Sequence, residues 1–280
     1  MADGGEGTDE VLPGALGGEW LRADVADPLG RTVSARWLLL PDGRAVVESA
    51  EAIGLGRLAP EERDPLRASS RGLGELVLAA AGAGASSLVV ALGGSATVDG
   101  GAGMRDVLRE LPLPAQAACD VSSPLLGERG AARSFGPQKG ASPADVEELE
   151  RRLAAMEELA PYGDLPGAGA AGGLGAAFAA LGAELVPGAP FVLDALGFAD
   201  RVRGSALVVT GEGEVDRTSA EGKATGEVVR LCAQASVRCA VFGGRVLEPL
   251  PGAETHALSG DPARAEEDLV VLGEELGRSL

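Results

Sequence analysis

The chain places its lysines in loops where each could hold a negatively charged group. Of its 24 basic residues only two are lysine, Lys139 and Lys223, and both stand among glycines, within residues 135–140 and 221–224. Lysine is a compact charge that reaches a phosphate oxygen, whereas arginine is a planar fork. In a chain that otherwise uses arginine, the two lysines therefore indicate sites for phosphate or carboxylate groups.

A glycine-rich loop carries the groups that phosphate and magnesium require. It follows a short apolar strand predicted over residues 87–92. Glycines let the main chain approach a phosphate closely, hydroxyls add hydrogen-bond donors, and a carboxylate can hold magnesium. A tight turn would need only one or two glycines, so we favour a binding loop. The residues that we assign to it are Gly93, Gly94, Ser95, Thr97, Asp99 and Gly100.

Acidic residues follow two further predicted strands. Asp120 closes the strand predicted over 115–121, where it could initiate a turn, act as a general base or bind a metal. A strand predicted over 206–210 leads into an acidic segment that we expect to be a loop and that precedes Lys223. Its acids are Glu212, Glu214 and Asp216. Such a segment is typical of a solvated loop, but its position between an apolar strand and a lysine favours a site for metal and phosphate.

Strands alternate with helices along most of the chain, which indicates an α/β protein. A hairpin is predicted over 33–49, with Asp42-Gly43 at its turn. Helices are predicted over 65–81, 142–159, 175–185, 225–235 and the last twenty residues, with a further strand over 237–242. In α/β folds ligands lie at the carboxyl ends of strands, so the loops described above are expected to form the site.

Composition excludes several classes of protein. The net charge of −18 argues against a nucleic-acid partner. No signal peptide and no apolar run of membrane-spanning length is visible, so we expect no membrane partner and a cytoplasmic protein. Cys119, Cys232 and Cys239 form no CxxC pair and are expected to be core residues. The single His256, expected at the surface, excludes a multi-histidine metal site.

A tract of glycine and alanine matches one nucleotide-binding motif but lacks its context. Residues 167–172 fit G-x-G-x-x-G, yet no strand precedes them, so the dinucleotide-binding fingerprint is incomplete. The hypothesis that the protein is an NAD-dependent oxidoreductase would rest on this tract alone. Two interpretations of the tract remain open: a loop that another part of the backbone approaches closely, or the start of a tightly packed helix.

Taken together, these loops resemble the glycerate kinase type-1 family. The matching stretches are ADGGEGT at 2–8, GGSATVDGGAGM at 93–104, ACDV at 118–121, PLLG at 124–127, FGPQKG at 135–140, GAGAAGGLG at 167–175, and TGEG at 210–213 leading to Gly222-Lys223. They occur in the family's order and span nearly the whole chain. The resemblance implies an enzyme that uses ATP and Mg²⁺ and transfers the γ-phosphoryl group of ATP to a small-molecule substrate, D-glycerate. The product would be phosphoglycerate. By analogy with similar proteins, it would be the 2-phosphate.

The resemblance also implies a fold of two lobes with the active site in the cleft. A Rossmann-like domain would comprise residues 1–8 and 197–280, and a second α/β domain, residues 9–196, would be inserted into it. The catalytic residues implied are Asp120, Lys139 and Lys223, and the metal ligands are Glu212 and Asp216. Substrate or phosphate would be bound by the loop 93–100 described above and by Asp3, Glu6, Gly169 and Gly172.

The chain departs from the family pattern at its front. Family members carry about forty further residues there, roughly one βα unit. Either the first residue of the protein is assigned too late in the sequence, or the chain is a reduced relative that binds glycerate or nucleotide without catalysis. Loss of that unit would expose a sheet edge and leave apolar helix surface uncovered. The stretches between Met104 and Cys119 and after Val241 are also short, and Val98 stands where asparagine is common.

Overall fold

The computed structural model describes residues 16–220 and 223–280. They divide into two compact units, the first ending at Val192 and the second running over Leu193–Leu280. Asp3 and Glu6, with the rest of the stretch at 2–8, lie outside the described residues. The fold is mixed α/β, as predicted.

The first unit is built on a sheet of six strands in chain order. The strands are β1 (Glu19–Ala26), β2 (Thr32–Leu39), β3 (Arg44–Glu48), β4 (Ser87–Ala91), β5 (Ala115–Cys119) and β6 (Glu184–Pro187). The first three pair antiparallel, and β3 to β6 pair parallel. The predicted hairpin is confirmed, because Leu38 lies opposite Val46 across it. Strand β1 was not predicted.

Helices join these strands. They are α1 (Ser49–Ile53), α2 (Arg71–Gly82), α3 (Ala102–Val107), α4 (Ala131–Phe135), α5 (Pro143–Ala154) and α6 (Ala170–Ala180), with α7 (Gly188–Ala195) containing the boundary between the units. The predicted start of α5 is confirmed: Ser142 Oγ accepts a hydrogen bond from the amide of Asp145, whose carboxylate accepts one from the Ser142 amide. The helix ends at Ala154, short of the predicted 159, and 3₁₀ turns over Glu157–Tyr162 follow it.

Other predicted boundaries were wrong by several residues. The helix predicted from residue 65 begins at Arg71, and the one predicted to reach 185 ends at Ala180, because Glu184–Pro187 pairs with β5. The core around these elements consists largely of alanine, valine and leucine, with Trp37 and Phe178 as its largest buried side chains. Small side chains let the helices lie close to the sheet.

The second unit contains three parallel strands in chain order, β7 (Leu207–Val215), β8 (Arg238–Val246) and β9 (Glu254–Ala257), with helices α8 (Phe198–Val202), α9 (Ala224–Ala235) and α10 (Ala265–Arg278). Helix α9 packs on the face of β8 that carries Val241, whereas α10 packs on the opposite face, which carries Ala240.

The three cysteines are buried free thiols, as predicted. His256 was expected at the surface but is half-buried on β9. Within the described ranges, no helix is both long and apolar enough to cross a bilayer.

Candidate active site

Three chain segments leave the first sheet at one edge. In the register of the parallel strands, Glu48 of β3 lies opposite Ala91 of β4, which lies opposite Ala118 of β5. Gly93 and Asp120 each follow two residues later. Both therefore stand at the carboxyl edge of the sheet, where ligands bind in α/β folds. The Ser49 side chain joins two of the segments, because its Oγ donates to the carbonyl oxygen of Gly93 at 2.7 Å.

Lys139 supports the glycine-rich loop from inside the protein. Its side chain is 3 % exposed, and its Nζ donates hydrogen bonds to Ser95 Oγ at 3.0 Å and to the carbonyl oxygen of Thr97 at 2.8 Å. Burial lowers the pKa of Lys139 to about 7, and the negative charge of Asp99 opposes part of that effect. This lysine therefore shapes the loop, whereas the sequence suggested that it contacts phosphate or carboxylate directly.

Asp99 is held by main-chain amides and by a serine that sequence reasoning missed. Its Oδ2 accepts hydrogen bonds from the amide and hydroxyl of Ser70, each at 2.8 Å, and from the amide of Gly103. Its Oδ1 accepts from the amide of Gly101 at the start of α3. The Ser70 hydroxyl accepts a further bond from the amide of Met104. A serine just before a helix is a capping signal, but its partner lies 29 residues away and could not be predicted.

The glycine tract at 167–175 packs against the loops that follow β4 and β5. Gly172 has φ = +78°, and a Cβ there would lie 1.9 Å from the carbonyl oxygen of Thr97. Its own carbonyl accepts a hydrogen bond from the amide of Gly100. At Gly169 a Cβ would lie 2.3 Å from the carbonyl oxygen of Pro124. Both interpretations of the tract hold: α6 begins within it at Ala170, and only glycine permits these close backbone contacts.

Three further groups in this part of the first unit bear on binding. The Thr97 hydroxyl is buried and has no hydrogen-bond partner among the described residues, and Gly94 is exposed with φ = +62°. Glu48 is 4 % exposed, a buried carboxylate that the sequence did not indicate as part of a site. The sequence placed it at the end of an apolar strand, and that position is the only signal that could have marked it.

In the second unit, Lys223 and Glu212 lie together. The acidic segment was predicted as a loop, but β7 continues to Val215 and pairs Glu212 with Gly243 of β8. The prediction was wrong because glycines and acids interrupt the apolar pattern by which a strand is identified. Lys223 immediately precedes α9, and its Nζ lies 3.6 Å from Glu212 Oε2. The other oxygen of Glu212 is buried without a hydrogen bond to any described residue.

Asp216 follows the end of β7 and orders a short turn, since its Oδ1 accepts a hydrogen bond from the amide of Ser219. Glu214 pairs instead with Arg245. Residues 16–220 and 223–280 contain no group of three or more histidine, cysteine or acidic side chains that could hold a metal ion. Magnesium in phosphotransfer sites commonly takes one or two carboxylates together with phosphate oxygens and water. Glu212, with its unsatisfied oxygen, and Asp216 fit that donor set.

The fold is that of an α/β protein whose glycine-rich loops, carboxylates and lysines lie at or just beyond strand ends. The sequence profile of the glycerate kinase family matches residues 1–111 and 109–260. The chain belongs to the glycerate kinase family.

Individual relatives agree with this assignment. Glycerate 2-kinase of Escherichia coli K12 is 41 % identical over 263 residues, which cover 80 % of this chain and 69 % of the relative. Glycerate kinase of Halalkalibacterium halodurans is 39 % identical over an alignment of 284 positions that covers 87 % of this chain and 75 % of the relative. A Salmonella typhimurium LT2 protein assigned as glycerate kinase 2, known from a crystal structure, superposes with a TM-score of 0.77 at 32 % identity, covering 100 % of this chain and 89 % of that one.

Proposed function

We propose that this protein transfers the γ-phosphoryl group of ATP, as its magnesium complex, to D-glycerate, and that the 2-hydroxyl is the acceptor. The observation that carries the proposal is the match to the glycerate kinase family through residue 260, supported by the identity to a relative named for 2-phosphorylation. We infer a cytoplasmic location, since free buried thiols suit a reducing compartment.

The second unit supplies the groups that phosphoryl transfer needs most. Such a reaction depends on positioning and on stabilising negative charge more than on covalent chemistry. The Lys223 side chain is 40 % exposed, so its ammonium group is accessible to a phosphate. Glu212 and Asp216 would hold Mg²⁺, which, when bound, neutralises charge on the phosphate oxygens. We assign residues 197–280 of this unit, together with residues 1–8, to the Rossmann-like domain.

The first unit, from residue 16 to the boundary, supplies the loop that we assign to substrate. The exposed main chain at Gly94 offers an amide donor to an anion, and Ser95 and Thr97 place hydroxyls in the same loop. Lys139 and Asp99 hold the loop in shape through the hydrogen bonds given above. Asp120, at the same edge of the sheet, accepts the proton of the glycerate hydroxyl as the phosphoryl group is transferred.

Release of ADP tests the proposal directly. The purified chain is incubated with ATP, MgCl₂ and D-glycerate, and ADP is followed with a coupled enzyme assay. We expect ADP release that requires both magnesium and D-glycerate. D-lactate keeps the 2-hydroxyl and lacks the 3-hydroxyl, so it separates acceptor chemistry from substrate recognition. A folded chain that binds ATP or glycerate and releases no ADP would instead be a binding protein.

A further inference from the structure

A cavity in the second unit is lined by none of the residues assigned above. It has a volume of about 480 Å³ and is lined by the last residues of β9, the segment after it, and α10. Ligand cavities have volumes of about 300–1,000 Å³. Its wall includes the apolar side chains of Leu258 and Leu272, and the polar side chains of His256 and Ser259. The cavity therefore has the size and the mixed lining of a small-molecule site.

The cavity stands at the carboxyl end of β9 and beside α10, in a parallel sheet whose helices lie on opposite faces. Helix α9 follows β7 and packs beside Val241 of β8, whereas α10 follows β9 and packs beside Ala240. Because neighbouring residues of a strand point to opposite faces, the two helices lie on different sides of the sheet. In open α/β sheets, ligands bind outside the carboxyl ends of the strands, which is where the end of β9 places the cavity.

The charges around the cavity select the kind of ligand. Its lining contains one cation, Arg264, and two carboxylates, Asp268 and Glu275. Arg264 is already paired with Asp268 and with Glu267. Carboxylates outnumber the one arginine, so phosphate or glycerate is disfavoured. Carboxylates accept hydrogen bonds from the hydroxyls of a ribose and from an exocyclic amine, and the leucine walls suit a flat base.

We propose that this cavity binds the nucleoside end of the ATP molecule. The inference rests on the proposed function, because that function requires a nucleotide and the groups assigned to it contact only phosphate, magnesium and glycerate. His256 lines the cavity, and its Nε2 has no hydrogen-bond partner in the described part of the chain. The base would lie between Leu258 and the α10 side chains.

The strand register relates this cavity to the phosphate groups. Glu212 lies opposite Gly243, and Gly243 lies opposite Ala257, which lines the cavity. Glu212 and Ala257 are therefore separated by two strand spacings, about 10 Å. An extended nucleoside triphosphate spans a comparable distance between its base and its terminal phosphate. A nucleotide crossing the end of β8 would place its base in the cavity and its phosphates beside Lys223.

Photolabelling tests the inference without requiring turnover. The full chain is irradiated with 8-azido-ATP, and the labelled peptide is identified by mass spectrometry. We expect labelling within residues 254–276 that excess ATP or adenosine suppresses and that D-glycerate does not. Labelling of any other segment, or no labelling that ATP suppresses, would overturn the proposal. Labelling does not depend on catalysis, so the two proposals can fail separately. If the chain releases ADP but is labelled elsewhere, only the assignment of the cavity to the nucleoside is refuted. If the cavity is labelled but no ADP is released, only the kinase activity is refuted.

A pair of neighbouring valines on α10 provides a matched control. Val271 lines the cavity and is 50 % exposed, whereas Val270 is 58 % exposed and does not line it. Val271→Trp should reduce labelling at least tenfold and raise KM for ATP at least tenfold, leaving KM for glycerate unchanged. Val270→Trp should leave the labelling, KM for ATP and KM for glycerate unchanged. Equal effects of the two substitutions would contradict the assignment of the cavity to the nucleoside. If Val271→Trp does not fold, the identity of the labelled peptide in the unaltered chain decides whether the nucleoside binds there.

Discussion

The ammonium group of Lys139 lies 2.8 Å from the carbonyl oxygen of Thr97, inside the first unit and shielded from solvent. The lysine comes from a 3₁₀ turn, Pro137–Lys139, and the carbonyl from the glycine-rich loop after β4. Because the donor is buried, the loop loses its support if the lysine is removed, and no water replaces it without rearrangement. The lysine is thus a structural member of the candidate site.

Lys139→Met should destabilise the protein. The substitution leaves Thr97 O and Ser95 Oγ without their buried donor, which costs about 1–3 kcal/mol. Chemical denaturation with urea at pH 9 measures this change. The same variant should also raise KM for glycerate, because the loop that we assign to substrate loses its support. Arg129→Ala, which removes an exposed cation, serves as the control.

The stability difference between the native protein and Lys139→Met should grow with pH. The pKa of Lys139 is about 7 in the folded protein and has its ordinary value of 10.5 when unfolded. Between these values the unfolded chain holds the extra proton, so the native protein gains stability as pH rises, by about 1 kcal/mol per pH unit. Urea titrations at pH 7, 8 and 9 measure the gain. A constant difference would mean that the buried amine keeps its proton.

Asp99→Asn should weaken the start of α3 and the loop before it. The carboxylate accepts four hydrogen bonds, and an amide can accept through only one of its two groups. We expect a loss of about 1–3 kcal/mol in the free energy of unfolding. Asp106→Asn, an exposed change in the same helix, should have little effect. Equal stability of the two variants would show that the Asp99 bonds are dispensable.

Gly172→Ala should be more harmful than Gly182→Ala. Both glycines have positive φ, +78° and +93°, so alanine is strained at either position by about 1–2 kcal/mol. Only at Gly172 would the Cβ meet another part of the backbone, the Thr97 carbonyl oxygen, whereas nothing lies within 4 Å at Gly182. The added overpacking should cost about 1–3 kcal/mol more. Thermal unfolding of the two variants gives the comparison, and similar melting temperatures would refute it.

Much of this architecture could be predicted from the sequence, because the strands that build the sheets are short apolar runs bounded by glycine, proline and aspartate. The hairpin at β2 and β3 and the start of α5 follow from turn and capping chemistry that is local to a few residues. The length of β7 could not be predicted. Residues 211–215 lack an apolar pattern, and pairing with β8 extends the strand.

The site was predictable as a set of loops and not as a set of contacts. The glycines and acids in 93–101 mark a loop where the chain can approach a ligand, but nothing local shows that Ser70 satisfies Asp99 or that Lys139 is buried beneath Thr97. Those contacts join residues 29 to 42 positions apart. Their geometry follows from packing of the whole unit, which a local pattern does not encode.

Lys223→Ala should lower kcat/KM for phosphorylation at least tenfold, about what one lost charge-assisted contact to phosphate is worth. The lysine is partly exposed and its partner, Glu212, lies on the same unit, so the fold should be retained. Arg278→Ala removes a positive charge from an exposed position of that unit and should leave the rate unchanged. Steady-state kinetics at saturating ATP and at saturating glycerate separate the effect of the substitution on glycerate from its effect on ATP. Equal rates for both variants would exclude Lys223 from the reaction.

Phosphorus NMR of the reaction product tests the proposed phosphoryl transfer to the 2-hydroxyl of D-glycerate. The purified chain is mixed with ATP, MgCl₂ and D-glycerate, and the ³¹P spectrum, with proton coupling to locate the phosphorylated carbon, is recorded as the reaction proceeds. We expect the γ-phosphate signal of ATP to decline while a 2-phosphoglycerate signal rises in equal amount. A folded chain that leaves ATP and D-glycerate unchanged would contradict it.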